Sequence, residues 1–164
     1  MEPRIERRAL TALAGASPAA SVDGRRARGY VARWGDETPM RGHLERIELG
    51  AFTESIKTRD VLALWSHDQS AVLGRTSSGT LALTEDRTGL EYLLDLPDTT
   101  HGRDAAELLR RGDIGGASVG MIVDEDTWTM DRFGYPIRSI QQATLVEISL
   151  VGLPAYPTTS ATLT

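Results

Sequence analysis

The chain has 164 residues, 40% of them apolar and 25% charged, enough for one globular domain with its own hydrophobic core. It has no cysteine, which excludes disulfide frameworks, thiolate metal sites and cysteine nucleophiles together, and no apolar run approaches the roughly 18 residues of a membrane span. The net charge is −5 and the basic residues, all arginine except Lys57, are spread along the chain, a pattern that argues against nucleic acid as a partner.

Residues 1–28 hold six arginines against Glu2, Glu6 and Asp23, a local balance of +3 that leaves −8 for the remainder. Arg7 and Arg8 before an Ala- and Leu-rich stretch imitate a secretion signal, but Glu2 and Glu6 oppose a basic start and Thr11 and Gly15 interrupt the apolar part. The expected address is cytoplasmic. This segment reads as a solvated arm, or a first strand followed by a flexible loop.

Turn-forming clusters then recur at short intervals, separated by segments of strand character: Arg28 to Trp34, Val61 to Trp65, Thr80 to Thr84, Leu90 to Leu94, Ala117 to Val123 and Thr144 to Val151. Two segments read as helices. Ala105, Leu108 and Leu109 stand at i, i+3 and i+4, with Thr99 and Thr100 as cap candidates and Gly112 as a stop, which predicts a helix near 103–111. A shorter one is expected over 51–57. The fold class is mainly β with peripheral helices, a barrel or sandwich, with a domain over 29–157 and a tail over 158–164.

Without cysteine, a nucleophile has to be Ser, Thr or a carboxylate, and its base one of His43, His67 and His101, the lone lysine, or an acid. Lys57 falls in the short helix among polar residues and reads as a surface lysine. The histidines lie 24 and 34 residues apart, without metal-ligand spacing, so a metal hydrolase has little support and no cofactor is expected. His67, in Trp65-Ser66-His67-Asp68, stands where an apolar strand meets a loop, the rim position a general base needs. A polar residue closing a strand is the competing reading. His101 reads as a helix N-terminal residue and His43 as a loop residue.

Ser118 lies in Gly115-Gly116-Ala117-Ser118-Val119-Gly120, small residues that let backbone approach closely and leave amides open to an oxyanion. In a strand, Ala117, Val119, Met121 and Val123 share one face, and Ser118, Gly120 and Ile122 the other, expected to face solvent. A loop-to-strand junction with a surface serine would look the same. The string satisfies G-x-S-x-G, but the α/β-hydrolase elbow takes its histidine after the serine, and all three histidines here precede it. A His-Asp-Ser order through Asp95 or Asp98 is open in principle, but no glycine-rich Asp-Ser-Gly-type segment supports it. Glu147 interrupts the apolar run Thr144 to Val151, where an unpaired carboxylate would be costly. Alternation puts it with Ser149, opposite Val146, Ile148 and Leu150. Pairing with an arginine such as Arg138 is the alternative, and 124–126 read as a solvated acidic turn.

The succession Arg46-Ile-Glu-Leu-Gly-Ala-Phe52, Leu64-Trp-Ser-His-Asp68, Leu73-Gly-Arg75, Gly89-Leu90, Gly116-Ala-Ser-Val-Gly-Met121 and Leu145-Val-Glu-Ile-Ser-Leu-Val-Gly-Leu-Pro-Ala155 resembles the prohead proteases of tailed bacteriophages from about Gly29 to Pro157. The resemblance implies a β-barrel like that of the herpesvirus assembly proteases, with Ser118 as nucleophile and His67 as base on its outer wall. Those relatives use a second histidine after the serine. This chain has none there, and Glu147 takes that place. The implied substrates are the scaffold protein and the scaffold-like segment of the major capsid protein, cut inside the assembling procapsid in the host cytoplasm. Self-cleavage and a homodimer are implied as well. The rival expectation is a non-catalytic assembly or scaffold protein that keeps the protease fold.

Overall fold

The computed structural model describes residues 5–7, 25–154 and 156–164; most of the predicted N-terminal arm lies outside the described residues. Among the described residues, eleven strands and two helices follow one another as β1 (Glu6–Arg7), β2 (Arg26–Arg33), β3 (Thr38–Met40), β4 (His43–Ile47), α1 (Thr53–Thr58), β5 (Leu62–Trp65), β6 (Asp68–Arg75), β7 (Leu81–Glu85), β8 (Gly89–Asp95), α2 (Thr100–Arg111), β9 (Gly116–Met130), β10 (Pro136–Val151) and β11 (Thr162–Leu163). The chain is mainly β, as expected. The described strands form two sheets, and no closed barrel is found among them.

The larger sheet is built on the antiparallel pair β9–β10. The far edge of β10 is used twice: Ile137 to Ile140 pair in parallel with β4, and Glu147 to Leu150 pair in parallel with β5. β1 lies on the other edge of β9, with Glu6 opposite Met121 and Arg7 opposite Gly120. The smaller sheet runs β11-β2-β8-β7. Thr162 and Leu163, expected in a tail, pair with Arg28 and Ala27. Val31, Leu90, Tyr92 and Leu94 of this sheet join Ala63, Val119, Met121, Ile148 and Leu150 of the other in one core.

α2 forms where its caps and spacing place it. Thr99 Oγ1 accepts from the Gly102 amide at 3.2 Å, Ala105 and Leu109 are buried, and Gly112 ends the helix in the left-handed region at φ 76°. Two expectations change. Residues 124–126 are not a turn but the middle of β9, which continues to Met130 and returns as β10 through a loop whose Asp131 carboxylate accepts from the amides of Phe133 and Tyr135. Mostly exposed residues carry this stretch, Trp128 and Met130 among them, so no buried apolar face reveals it; cross-strand bonds such as Arg138 to Asp126 (2.6 Å) and Thr144 to Asp124 (2.8 Å) hold it instead. The second change is a bulge between Leu145 and Glu147, which puts Leu145 in the core with Ile148 and Leu150 and leaves Val146 half-buried.

Candidate active site

β5 and β6 form a tight hairpin. Trp65 pairs with Asp68, so Ser66 and His67 are its two central residues, with φ of 50° and 62°. Two-residue loops of this kind need positive φ at both positions, and glycine or asparagine usually supplies it. Serine and histidine hold the left-handed conformation at a cost of roughly 1–2 kcal/mol each, and such strain persists only where surrounding bonds enforce it. Those bonds come from β10: the Ser66 amide donates to Leu150 O at 3.1 Å and the His67 amide to Ser149 Oγ at 3.0 Å. On the exit side, the hydroxyl and amide of Ser70 bond the Asp68 carboxylate and hold it below the usual carboxylate range.

The His67 side chain is turned onto β10, with Nδ1 2.6 Å from Glu147 Oε1. Glu147 is 2% exposed, and its other oxygen accepts from Ser149 Oγ at 2.7 Å. A carboxylate this deep would be costly unpaired; here each oxygen has a partner. With Nδ1–H donated to the carboxylate, the neutral imidazole presents its lone pair at Nε2. That nitrogen is buried and makes no hydrogen bond among the described residues. Glu147 therefore does not pair with Arg138, which instead meets Glu6, Glu45 and Asp126.

Ser118 stands opposite Ser149 across β9–β10, and Gly120 opposite Glu147, so these four residues share one face, as alternation indicates. Directly opposed residues have Cα atoms about 4.5–5.5 Å apart, which puts Ser118 beside the residue that holds the His67 backbone. The glycines around it have separate reasons. A Cβ on Gly120 would lie 2.4 Å from Glu147 Oε1, and one on Gly116 would lie 2.4 Å from the Pro154 ring; the first makes room for the carboxylate and the second for the segment after β10. One expectation is corrected here. The face does not open to solvent: Ser118 is 0% exposed and Ser149 1%. Alternation reveals which residues share a face but not what covers it; here the β5–β6 turn bonds Ser149 on this face, and the Pro154 ring occupies the place a Cβ of Gly116 would take. The amide of Ala117, next to Ser118, is already bonded to Thr159 Oγ1 at 3.3 Å.

The other candidates lie elsewhere. Lys57 is exposed in α1 and pairs with Glu54 at 3.2 Å. His101 is exposed in the first turn of α2. His43 is not a loop residue; it opens β4, packs at a tilt against Trp128 with ring centroids 5.0 Å apart, and brings Nε2 to 3.8 Å from Glu45. Asp95 pairs with Arg26, and Asp98 with Arg25 and Arg103. No group of three or more His, Asp or Glu side chains able to hold a metal is found among the described residues. Sequence reasoning undervalued Ser149. Its signal was a polar side chain two positions after Glu147, on the same face of an apolar run.

A search of the curated proteins found no match. The family model of the caudovirus prohead serine proteases, in contrast, matches residues 17–164, a span that contains His67, Ser118, Glu147 and Ser149 and omits only β1 among the strands described. The chain belongs to the caudovirus prohead serine protease family.

Proposed function

We propose that the protein is a serine endopeptidase in which Ser118 is the nucleophile, His67 the general base and Glu147 the acceptor that orients the base. The observation that carries this reading is the 2.6 Å contact of His67 Nδ1 with a buried Glu147, which leaves Nε2 as an acceptor on the side of the sheet where Ser118 stands opposite Ser149. In the reaction, Nε2 takes the Ser118 hydroxyl proton as Oγ bonds to the scissile carbonyl carbon. The same proton passes to the leaving amine as the C–N bond breaks. Water then repeats the sequence against the acyl-enzyme, its proton going to Nε2 and returning to Ser118. Glu147 stabilises the imidazolium formed in each half. Because Ser118 is covered, a peptide carbonyl reaches Oγ only after the covering segments shift.

Family membership points to capsid maturation and to the assembling procapsid as the place of action. The substrates we assign are the scaffold protein and the scaffold-like segment of the major capsid protein; self-cleavage, a homodimer and the herpesvirus-type barrel follow from the same resemblance. The complete burial of Ser118 favours one alternative, an assembly factor that keeps the site without using it. Co-expression with scaffold and capsid protein separates the two. The wild-type chain should give procapsids with cut scaffold and Ser118→Ala procapsids with uncut scaffold. Equal cleavage by both would reject Ser118 as nucleophile, and uncut scaffold with both would favour the assembly factor.

A further inference from the structure

Acyl transfer by Ser118, His67 and Glu147 gives no role to Ser149, yet among the described residues Ser149 is the one side chain hydrogen-bonded both to the His67 backbone and to the Glu147 carboxylate. It is 1% exposed in the run Val146-Glu-Ile-Ser-Leu-Val151, where an apolar residue would pack without the penalty of burying a hydroxyl. The polarity of its bonds is dictated by their partners. The His67 amide can only donate, so Ser149 Oγ accepts there, and its single hydrogen goes to Glu147 Oε2. With Oε2 occupied by that donor, Oε1 is left for His67 Nδ1.

The three bonds close a ring: His67 amide to Ser149 at 3.0 Å, Ser149 to Glu147 at 2.7 Å, and Glu147 to the His67 imidazole at 2.6 Å. The ring acts on His67 from two sides. Through the backbone it restrains a histidine at φ 62°, a conformation that a non-glycine residue leaves readily when the bonds enforcing it are lost. Through the carboxylate it fixes Nδ1 as the protonated nitrogen and Nε2 as the acceptor. Ser149 is poorly placed to be the nucleophile itself, because its hydrogen is committed to Glu147 and not to an imidazole nitrogen.

We infer that Ser149 is a positioning residue, which ties the β5–β6 turn to the Glu147 carboxylate and thereby sets both the place and the tautomer of His67. This inference rests on the site reading proposed above, and its test separates the two. Ser149→Ala removes both bonds, Ser149→Thr keeps the hydroxyl, and Ser149→Cys keeps the size with a weak donor. Each full-length variant is followed by its rate of labelling with a fluorophosphonate, by nitrogen-15 NMR of the His67 ring, and by thermal melting.

Ser149→Ala should label about 10- to 100-fold more slowly than wild type, the size expected for losing one hydrogen bond to a charged group. Its NMR spectrum should show His67 moving away from the pure Nδ1–H tautomer. Ser149→Thr should restore both readouts to within a few-fold of wild type, and Ser149→Cys, which supplies the same comparison if the alanine variant does not fold, should fall between them. An unchanged tautomer in Ser149→Ala, or in Ser149→Cys if alanine fails to fold, overturns the inference. So does a threonine variant as impaired as alanine, since the hydroxyl would then not be the operative group. Failure of the wild-type chain to label at Ser118, in procapsids that are cutting their scaffold as well as in the purified chain, would overturn the catalytic reading instead, and the ring-nitrogen spectra would still decide the role of Ser149.

Discussion

Replacing Glu147 by glutamine keeps the shape of the side chain and removes its charge, at a position where both oxygens accept hydrogen bonds and neither faces water. The amide can serve only one of the two donors. If its oxygen stays on His67 Nδ1, its NH2 meets Ser149 Oγ, and the serine hydrogen loses its acceptor. If it turns over, the NH2 meets Nδ1, the ring proton moves to Nε2, and the base can no longer take the Ser118 proton. The first orientation leaves a buried serine hydrogen without an acceptor, about 1–3 kcal/mol of stability, which for a chain of this length lowers Tm by roughly 2–12 °C; the second keeps both hydrogen bonds but fixes the wrong tautomer.

The catalytic cost of the same change is larger. A unit charge about 4 Å from the imidazolium at an effective dielectric near 20 is worth about 4 kcal/mol, or about 10³-fold in rate. Neutralising the corresponding acid in serine proteases costs kcat about 10⁴. Glu147→Gln should therefore label with a fluorophosphonate 10²- to 10⁴-fold more slowly than wild type while melting only a few degrees lower. Labelling within about threefold of wild type, together with the lower Tm, would refute the reasoning and leave Glu147 as a buried structural acid.

Gly120→Ala puts a Cβ 2.4 Å from Glu147 Oε1 and should slow labelling at least about tenfold, for an overpacking cost of about 1–3 kcal/mol; Gly116→Ala, which meets the Pro154 ring instead, should act more on Tm than on labelling, and the reverse order would contradict both assignments. Asp60 tests the scaffold rather than the site. Arg75 foremost, then the Ser77 amide, holds its carboxyl well below the usual carboxylate range, while its oxygens also bond Thr76 and Ser77 Oγ and tie down the turn after β6. A lowered folded-state pKa gives stability that is present above the unfolded value and lost as pH falls toward the folded one. The Tm gap between wild type and Asp60→Asn should accordingly be largest near neutral pH and close as the solution is acidified below the ordinary carboxylate range. A gap that widens in acid would show that the carboxylate is not the stabilising form.

The strand from Leu62 to Trp65 and the position of His67 at its end were legible because apolar residues stop abruptly at a polar pair. Alternation also placed Ser118, Gly120, Glu147 and Ser149 on one face, since pairing register preserves a period of two wherever no bulge intervenes. It failed one residue earlier, at Val146, because a bulge leaves no mark in a run that is apolar on both sides. The burial of Ser118 was invisible for a different reason: segments distant in sequence, such as the turn at Ser66-His67 that bonds Ser149, pack onto its face, and local pattern carries no information on such contacts. The left-handed backbone at Ser66 and His67 was hidden as well, because neither residue type advertises it. The long β9–β10 hairpin was missed between Asp124 and Ala143 because its β9 half is exposed and bound by polar cross-strand pairs, while the buried residues of its β10 half, Ile137, Ser139 and Ile140, do not alternate strictly.

Mapping the site of fluorophosphonate attachment by peptide mass analysis tests the central claim most directly. It should be done on the purified chain and on procapsids that are cutting their scaffold, where the cover over Ser118 has to open. The account predicts a single adduct on the peptide that carries Ser118, abolished in Ser118→Ala. An adduct on Ser66 or Ser149, or scaffold cutting that continues with Ser118 unmodified under saturating reagent, would contradict it.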